Sequence, residues 1–357
     1  MTDAEVIVLG AGPAGCAAAT GLARAGRDVL LLERDAVPRE VVCGEFLGPD
    51  AVAALRVLGL DAAAMEAVSI TSLRIGAGMR EAAAPLPFPA WGLPRRVLDG
   101  ALRDAAAHAG AGLYVGRAVV AAERNGGLWH LRLRDGAALT CRALVLATGK
   151  HALRGHPRLP ARDGATGLKL HLRGLDLAGT VHLLPFPGGY AGLQPTIGGA
   201  NLCAAIRDAP GEAARDTRAL LARVAAGSAL AARLLSGAEP ATDRPLAVAG
   251  VPYGFLHRAA AGPPGLYRVG DQAAVIPSLT GDGIAMALHS GLAAARAIVA
   301  GRPAAEHHAA WGAAARAPMA WAGLTSFVLH RAPATLAVVA TVPGLPALFA
   351  RRTRIAA

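Results

Sequence analysis

A short apolar run, a glycine-rich turn and a stretch of small residues follow one another at the start of the chain. Val6–Leu9 reads as a buried strand, and Gly10-Ala-Gly-Pro-Ala-Gly15 leads into a helix. Gly10 permits a tight turn, Gly12 lets the backbone approach a pyrophosphate, and Gly15 lets the helix pack closely on the strand. The helix N-terminus then offers free N–H groups to phosphate. This order predicts the nucleotide-binding edge of a parallel α/β sheet.

Two further segments extend this site. A second apolar run, Asp28–Glu33, ends in a carboxylate at the offset where an acid receives the ribose hydroxyls of an adenosine. Near the other end of the chain, Leu266–Asp271 and Pro277–Gly283 form another strand and glycine-rich turn. Two such segments with these flanks predict one large dinucleotide cofactor, FAD.

Composition narrows the class of partner. The 357 residues carry a net charge of +11, yet Lys150 and Lys169 are the only lysines among 36 basic residues. The arginines are scattered and aromatic residues make up 4%, so nucleic-acid binding is not expected. The excess of arginine reflects either compositional bias or attraction to an anionic cofactor, an acidic substrate or a membrane surface.

The four cysteines are widely separated. Cys16, Cys43, Cys141 and Cys203 lack the paired spacing of a metal site, and no cleavable signal precedes the first strand. We therefore expect reduced thiols, no metal and a cytoplasmic protein.

The pattern along the chain predicts an interrupted nucleotide domain. Short strands separated by glycine and proline turns between residues 167 and 206 indicate an antiparallel sheet. We expect a Rossmann-like α/β FAD-binding domain (1–68, 95–165 and 262–303), an inserted antiparallel β substrate domain (69–94 and 166–261) and C-terminal helices (304–357). In detail, one strand over 112–120, irregular structure over Pro85–Pro89 and a helical stretch over 213–235 are predicted.

These motifs resemble the flavoprotein superfamily that contains p-hydroxybenzoate hydroxylase, the geranylgeranyl reductases and the flavin-dependent halogenases. The resemblance implies that Asp271 binds the flavin-side ribose and that the Pro277–Gly283 turn sets a helix N-terminus beside the isoalloxazine ring. Arg95 and Arg39 are either cofactor contacts or solvated arginines. Motif and resemblance together give this candidate FAD-contacting set: Gly10, Gly12, Pro13, Ala14, Gly15, Glu33, Arg34, Arg39, Cys43, Gly44, Arg95, Val119, Thr148, Gly149, Gly270, Asp271, Pro277, Gly281, Gly283 and Ile284.

Three residues are candidates for the chemistry. Cys43-Gly44 resembles the Cys-Gly element of the geranylgeranyl reductases, so Cys43 either shapes the flavin face or is a small buried hydrophobe. Glu45 is a general acid if burial raises its pKa, although a surface carboxylate is the simpler expectation. Asp282 is either a flavin-proximal acid or, as we favour, a helix cap.

The inserted sheet supplies candidates for substrate binding. By resemblance its strands line a cavity over the flavin, where Tyr190 and Gln194 would bind a substrate oxygen, although alternation along the strand leaves a structural role open for one of them. His171 and His182 are expected to be structural.

Two departures restrict the reaction. Ala147-Thr-Gly-Lys150 stands where aromatic hydroxylases have an Asp-Gly used with NAD(P)H, and the tryptophan motif of the halogenases is missing. The electron donor is therefore NAD(P)H or a separate flavin reductase, and halogenation is disfavoured.

The C-terminal region is apolar. No charge occurs from Ala332 to Ala350, but Pro333, Pro343 and Pro346 interrupt it. A helical hairpin covering the substrate domain is expected. Peripheral membrane contact, with the following arginines on the headgroups, is the alternative.

We therefore predict an FAD-dependent oxidoreductase, first a monooxygenase of a lipophilic or aromatic, polyketide-like metabolite in secondary metabolism. A prenyl or alkene reductase of the geranylgeranyl reductase type is the alternative. A flavin-holding electron-transfer or binding protein is the alternative from another class.

Overall fold

The computed structural model describes residues 2–158, 164–258, 262–342 and 344–355. Its strands, in chain order, are β1 (Ala4–Leu9), β2 (Val29–Leu32), β3 (Phe46–Leu47), β4 (Val68–Ala77), β5 (Arg80–Gly92), β6 (Gly112–Tyr114), β7 (Val119–Asn125), β8 (Leu128–Leu133), β9 (Ala138–Leu146), β10 (Ala165–Arg173), β11 (Thr180–Phe186), β12 (Gly189–Thr196), β13 (Gly199–Ile206), β14 (Glu239–Pro240), β15 (Leu246–Val251), β16 (Phe255–Leu256), β17 (Leu266–Arg268) and β18 (Ala274–Val275). Its α-helices are α1 (Pro13–Arg24), α2 (Pro49–Val57), α3 (Arg95–His108), α4 (Thr217–Ala225), α5 (Ala229–Leu235), α6 (Gly283–Val299), α7 (Ala304–Arg331), α8 (Pro333–Thr341) and α9 (Leu345–Arg352).

The first sheet has the order β6-β2-β1-β9-β8-β7, and β17 pairs with the C-terminal half of β9. The β6, β2, β1, β9 and β17 strands are parallel, whereas β7, β8 and β9 pair in antiparallel fashion. Successive residues of β1 alternate between two buried faces: Val6 and Val8 pack with α1, α3 and α6, and Ile7 and Leu9 pack with Trp129. Burial on both faces is typical of a parallel sheet covered on each side.

The second sheet contains both segments that were predicted as the substrate domain. Its order is β14-β10-β13-β12-β11-β4-β5-β3, and β15 pairs with β10. Its strands are antiparallel except for the parallel pair β4 and β11. The helices α4 and α5 cover one face through Leu220, Val224 and Leu230, while α8 and α9 contact β5. The predicted fold class, an α/β FAD-binding type with an antiparallel sheet and C-terminal helices, is confirmed.

Three local predictions are wrong. The expected strand over 112–120 is two strands, β6 and β7, which pair with different partners on opposite edges. The expected helix over 213–235 breaks at Gly227, where a Cβ would lie 2.2 Å from the Pro185 carbonyl oxygen. The run Pro85–Pro89 lies inside β5, beside a register shift between Ile70 and Ser72. Because its prolines occupy alternate positions, their missing N–H donors fall on one edge of the strand.

The C-terminal helices divide between the two sheets: α8 and α9 contact β4 and β5 of the second sheet, whereas α7 contacts α6 and β17. Among the described residues, no single helix is long and apolar enough to cross a bilayer. Ala304–Arg331 and Pro333–Val339 pass that test only as a pair, and the chain bends by 115° between them. Pro343 lies outside the described residues.

Candidate functional site

The glycines of the first turn have different roles. Gly10 has a φ of +103°, and a Cβ there would lie 2.5 Å from the Ala147 carbonyl oxygen. A Cβ at Gly15 would lie 1.8 Å from the Gly10 carbonyl oxygen, so both positions require glycine for packing. At Gly12 a Cβ would meet only the Arg95 guanidinium, at 3.7 Å. Gly12 therefore faces open space.

Glu33 ties the end of β2 to this turn. Its carboxylate accepts the Ala11 N–H at 2.8 Å and the Asp35 N–H at 3.0 Å. A carboxylate has further lone pairs, so these bonds leave capacity for ribose hydroxyls. Arg103, which the sequence analysis missed, lies 3.8 Å from Glu33 and also donates to the Ala11 carbonyl at 3.4 Å.

Helix α3 aligns three charged residues at intervals of four. Arg95 makes two hydrogen bonds to Asp99, at 3.0 and 2.9 Å, and Arg103 lies one turn further on. Burial lowers the pKa of Arg95, but Asp99 and Cys43 together outweigh burial and raise it. This spacing was the available signal for Arg103.

A cavity of about 510 Å³ lies over the carboxyl edge of the first sheet. Most of the residues predicted to contact FAD line it: Gly10, Gly12, Pro13, Ala14, Glu33, Arg34, Arg39, Cys43, Gly44, Arg95, Val119, Thr148, Gly149, Gly270, Asp271, Gly281, Gly283 and Ile284. The predicted residues outside this lining are Gly15, Pro277, Asp282, Tyr190 and Gln194. Arg39 pairs with Asp35 at 2.6 Å at the rim.

The later glycine segment lies on the same edge. In the sheet, β17 is separated from β2 by β1 and β9, so Asp271 and Glu33 follow strands three spacings apart, about 14 Å. Gly270 has a φ of +57° and donates its N–H to Ser290 at 2.7 Å. Lys150 lies 3.9 Å from Asp271 and donates to the Val42 carbonyl at 2.9 Å. An open glycine turn and two acids along one edge fit an extended dinucleotide.

The expectation that Glu45 is a surface carboxylate is wrong. Glu45 has a φ of +59° and its side chain is fully buried. It accepts hydrogen bonds from the Arg95 backbone N–H at 2.9 Å, from Lys169 at 2.5 Å and from His171 at 2.9 Å. Burial favours the neutral acid, but His171 and Lys169 outweigh it and lower the pKa of Glu45. Glu45 is therefore an ionised anchor rather than a proton donor.

Residues of β10 and β13 hold the loop of Glu45 against the second sheet. Asn201 donates to the carbonyls of Cys43 and Gly44 at 3.1 and 2.8 Å. Lys169, only 1% exposed, also donates to Glu40 at 2.5 Å. Burial lowers the pKa of Lys169, but its ion pairs and hydrogen bonds with Glu45 and Glu40 together outweigh burial and raise that pKa. Sequence reasoning missed Lys169, although a rare lysine in an arginine-rich chain was a signal.

The same cluster resembles a metal site in its ligand types. Ligand atoms of Glu40, Glu45 and His171 lie within 4.8 Å of one another. The Lys169 ammonium bonds both carboxylates, so a cation is already supplied there.

Asp282 does not act as the expected side-chain cap. It occupies the N-cap position of α6 but makes no cap hydrogen bond, and its carboxylate pairs with Arg354 instead. Arg354 also lies over the Phe88 ring, with its Cζ 4.3 Å from the ring centroid. Burial raises the pKa of Asp282 to about 6 although Arg354 opposes this. The pair ties the C-terminal residues to the start of α6.

The two predicted substrate ligands are both buried in the second sheet. Tyr190 bonds the Ser278 hydroxyl at 2.6 Å, and Ser278 lines the cavity. The Gln194 Nε2 atom is buried without a hydrogen-bond partner among the described residues. The structure therefore connects Tyr190 to the cavity through Ser278 and leaves Gln194 apart from it.

Comparison with known proteins agrees with this geometry. Residues 3–157 match the family described as FAD binding domain. The chain is 39% identical over 160 residues to a menaquinone reductase of Mycobacterium tuberculosis, a match that covers 43% of this chain and 39% of that protein. It is 45% identical over 58 residues to squalene epoxidase erg1 of Schizosaccharomyces pombe, covering 16% of this chain and 13% of that protein. The chain thus spans less than half the length of these relatives.

Solved structures show the same fold over the whole chain. The flavin-dependent brominase Bmp2 superposes with a TM-score of 0.80 at 20% identity, covering 98% of this chain and 93% of that one. The predicted cofactor, FAD, and the predicted superfamily are confirmed by the matched domain and these relatives. Residues 3–157 belong to the FAD-binding-domain family, and the whole chain is similar in fold to flavin-dependent enzymes such as this brominase.

Proposed function

We propose that this protein is an FAD-dependent reductase of a lipophilic, unsaturated substrate of the prenylated quinone type. The observation that carries the proposal is the composition of the cavity. One wall of the cavity is the carboxyl edge of the first sheet, with its glycine turns and the acids Glu33 and Asp271. The other wall is apolar and comes from the second sheet, with Val248, Val251 and Cys203. The match over 160 residues to a menaquinone reductase favours reduction over the monooxygenation that the sequence alone favoured.

The chain's own residues bind the cofactor and orient it. Gly12 and the α1 N-terminus would hold the pyrophosphate, and Glu33 and Asp271 the two ribose groups. Bound FAD supplies the redox chemistry by accepting and donating electrons. The apolar wall excludes water from the reacting face.

Monooxygenation is the second candidate, because the squalene epoxidase match favours it. Both reactions suit an apolar cavity and differ in their need for dioxygen. An electron-transfer or binding protein, the candidate from another class, would turn over no substrate. The physiological electron donor, NAD(P)H or a separate flavin reductase, stays a prediction.

Anaerobic turnover separates these reactions. The FAD-loaded protein is first reduced with just enough dithionite to reduce the flavin, so that no excess remains. It is then mixed with a singly prenylated 1,4-naphthoquinone in the absence of oxygen. We expect the oxidised flavin spectrum to return, and one equivalent of the naphthoquinone to be reduced by two electrons for each flavin oxidised. Reoxidation only when labelled dioxygen is added, with label in the product, would establish monooxygenation instead. No product under either condition would favour the electron-transfer or binding role.

We also propose that the C-terminal helices contact a membrane surface from the cytoplasmic side. Large apolar side chains are exposed along α7 to α9, at Leu324, Phe327, Val338 and Leu348, and Arg351 and Arg352 are exposed beside them. We expect co-sedimentation with vesicles containing anionic phosphatidylglycerol, weakened by Phe327→Ser. The matched surface variant Val57→Ser, in α2, should bind vesicles as the wild type does. Equal sedimentation of both variants with the wild type would argue against this surface.

A further inference from the structure

Three hydroxyl groups converge beside the apolar wall of the cavity. The Ser278 hydroxyl lies 2.6 Å from the Tyr190 hydroxyl and 2.9 Å from the Tyr253 hydroxyl. Ser278 and Tyr253 line the cavity, whereas Tyr190 is 4% exposed and lies in β12 of the second sheet. The three residues come from separate parts of the chain, so folding alone brings them together.

The hydroxyls of Tyr190, Tyr253 and Ser278, here called the triad, carry one more hydrogen than the bonds between them use. Three hydroxyls carry three hydrogens, and the two bonds between them use two. The third hydrogen is free to bond a ligand. Because Tyr190 is buried, the free hydrogen belongs to a hydroxyl that reaches the cavity, on Ser278 or Tyr253.

The chemistry of the groups assigns the free hydrogen to Ser278. A phenol is a stronger donor than an aliphatic alcohol, and an alcohol oxygen is the better acceptor, so both tyrosines donate to Ser278. Two donated bonds polarise the serine hydroxyl and strengthen its own donation.

The surroundings keep the triad neutral and fixed. Tyr190 packs with Leu183 and Leu329, and its ring meets His330 edge-on at a centroid distance of 5.8 Å. Burial raises the pKa of both Tyr190 and Tyr253, so both phenols stay protonated at neutral pH.

We propose that Ser278, oriented by Tyr190 and Tyr253, donates a hydrogen bond to a carbonyl-type oxygen of the substrate. This rests on the proposed function, and it adds that the substrate carries an uncharged acceptor oxygen on the ring or group held at this end of the cavity. Tyr190 and Tyr253 are positioning residues that act through the serine.

Binding of two matched probes tests the assignment independently of turnover. One probe is the singly prenylated 2-methyl-1,4-naphthoquinone, and the other is the naphthalene of the same substitution without the two oxygens. Binding to the oxidised, FAD-loaded protein is followed by equilibrium dialysis. We expect Ser278→Ala to weaken quinone binding about tenfold, the effect of one lost hydrogen bond, and to leave hydrocarbon binding unchanged. Ser278→Thr keeps the hydroxyl and should restore quinone binding.

The tyrosine variants give a second readout. Tyr190→Phe and Tyr253→Phe each leave the serine hydrogen in place, so quinone binding should weaken by only about two- to threefold, from lost polarisation. A larger loss in Tyr253→Phe than in Ser278→Ala would overturn the assignment. So would equal loss of both probes, unchanged quinone binding in Ser278→Ala, or failure of the wild type to bind the quinone. Selective quinone binding without turnover would support the triad while refuting the proposed reaction.

Discussion

Replacement of Gly12 by valine is expected to weaken FAD binding at least about 100-fold, or about 2.8 kcal/mol of binding free energy. Gly12 has φ −87° and ψ −173°, values that valine adopts without strain. Among the described residues a Cβ there meets no backbone atom within 4 Å, so the added methyl groups would project into the cavity where the pyrophosphate is expected. The loss should therefore arise from direct competition with the cofactor. The measurement is the flavin-to-protein ratio after dialysis, with titration of the FAD-free protein.

Two glycine variants serve as controls for this result. In Gly15→Ala the new Cβ would lie 1.8 Å from a backbone oxygen, so the FAD-free protein itself should lose stability. Gly12→Val should change the unfolding free energy of the FAD-free protein by only about 1 kcal/mol, the cost of a less favourable N-cap. Gly312→Ala, in α7 with no described atom within 4 Å of the added Cβ, should leave FAD binding unchanged and raise the unfolding free energy by about 0.5 to 1 kcal/mol, because alanine is the better helix former. Retention of FAD by Gly12→Val at the wild-type ratio would refute the assignment of Gly12.

Replacement of Lys169 by methionine is expected to lower the unfolding free energy by about 3 to 5 kcal/mol at pH 7.5, the cost of breaking a buried ion pair by removing one partner. Lys169 is 1% exposed and Glu45 is fully buried, so the variant leaves a carboxylate without its ammonium partner. Urea unfolding of the FAD-free protein measures the loss. The double variant Lys169→Met with Glu45→Gln should recover most of it, because no buried charge then remains unpaired.

The pH dependence of this loss follows from Glu45. In the wild type the pKa of Glu45 lies below its ordinary 4.5, so its stabilising contribution is present above pH 4.5 and disappears as pH falls through the folded-state pKa. Without Lys169 the pKa of Glu45 rises, because burial then meets less opposition. The difference in unfolding free energy between wild type and variant should be full above the raised pKa of Glu45 in the variant, and it should shrink as pH falls from there towards the lowered pKa of the wild type. A difference independent of pH would show that packing, rather than charge, dominates.

Local motifs explain which parts of the fold and site were predictable. Gly10, Gly15 and Glu33 were readable because a strand, a turn and a helix close in sequence determine their environment. The burial of Glu45 was not readable, because it depends on Lys169 and His171 in a strand of the second sheet. The prediction that Asp282 caps a helix was wrong for the same reason, since its partner Arg354 comes from the far end of the chain. Long-range pairing, which leaves no periodic trace, accounts for these errors.

The two lysines differ so much in exposure that one of them can be modified selectively. Lys169 is closed to solvent, while the Lys150 side chain is 28% exposed at the cavity beside Asp271. The 36 basic residues otherwise are arginines, which amine-directed acylating reagents do not modify. Side-chain acylation is therefore confined to one position at the mouth of the cofactor cavity. The extent of that single modification would report how fully the cavity is occupied, without any need to know the substrate.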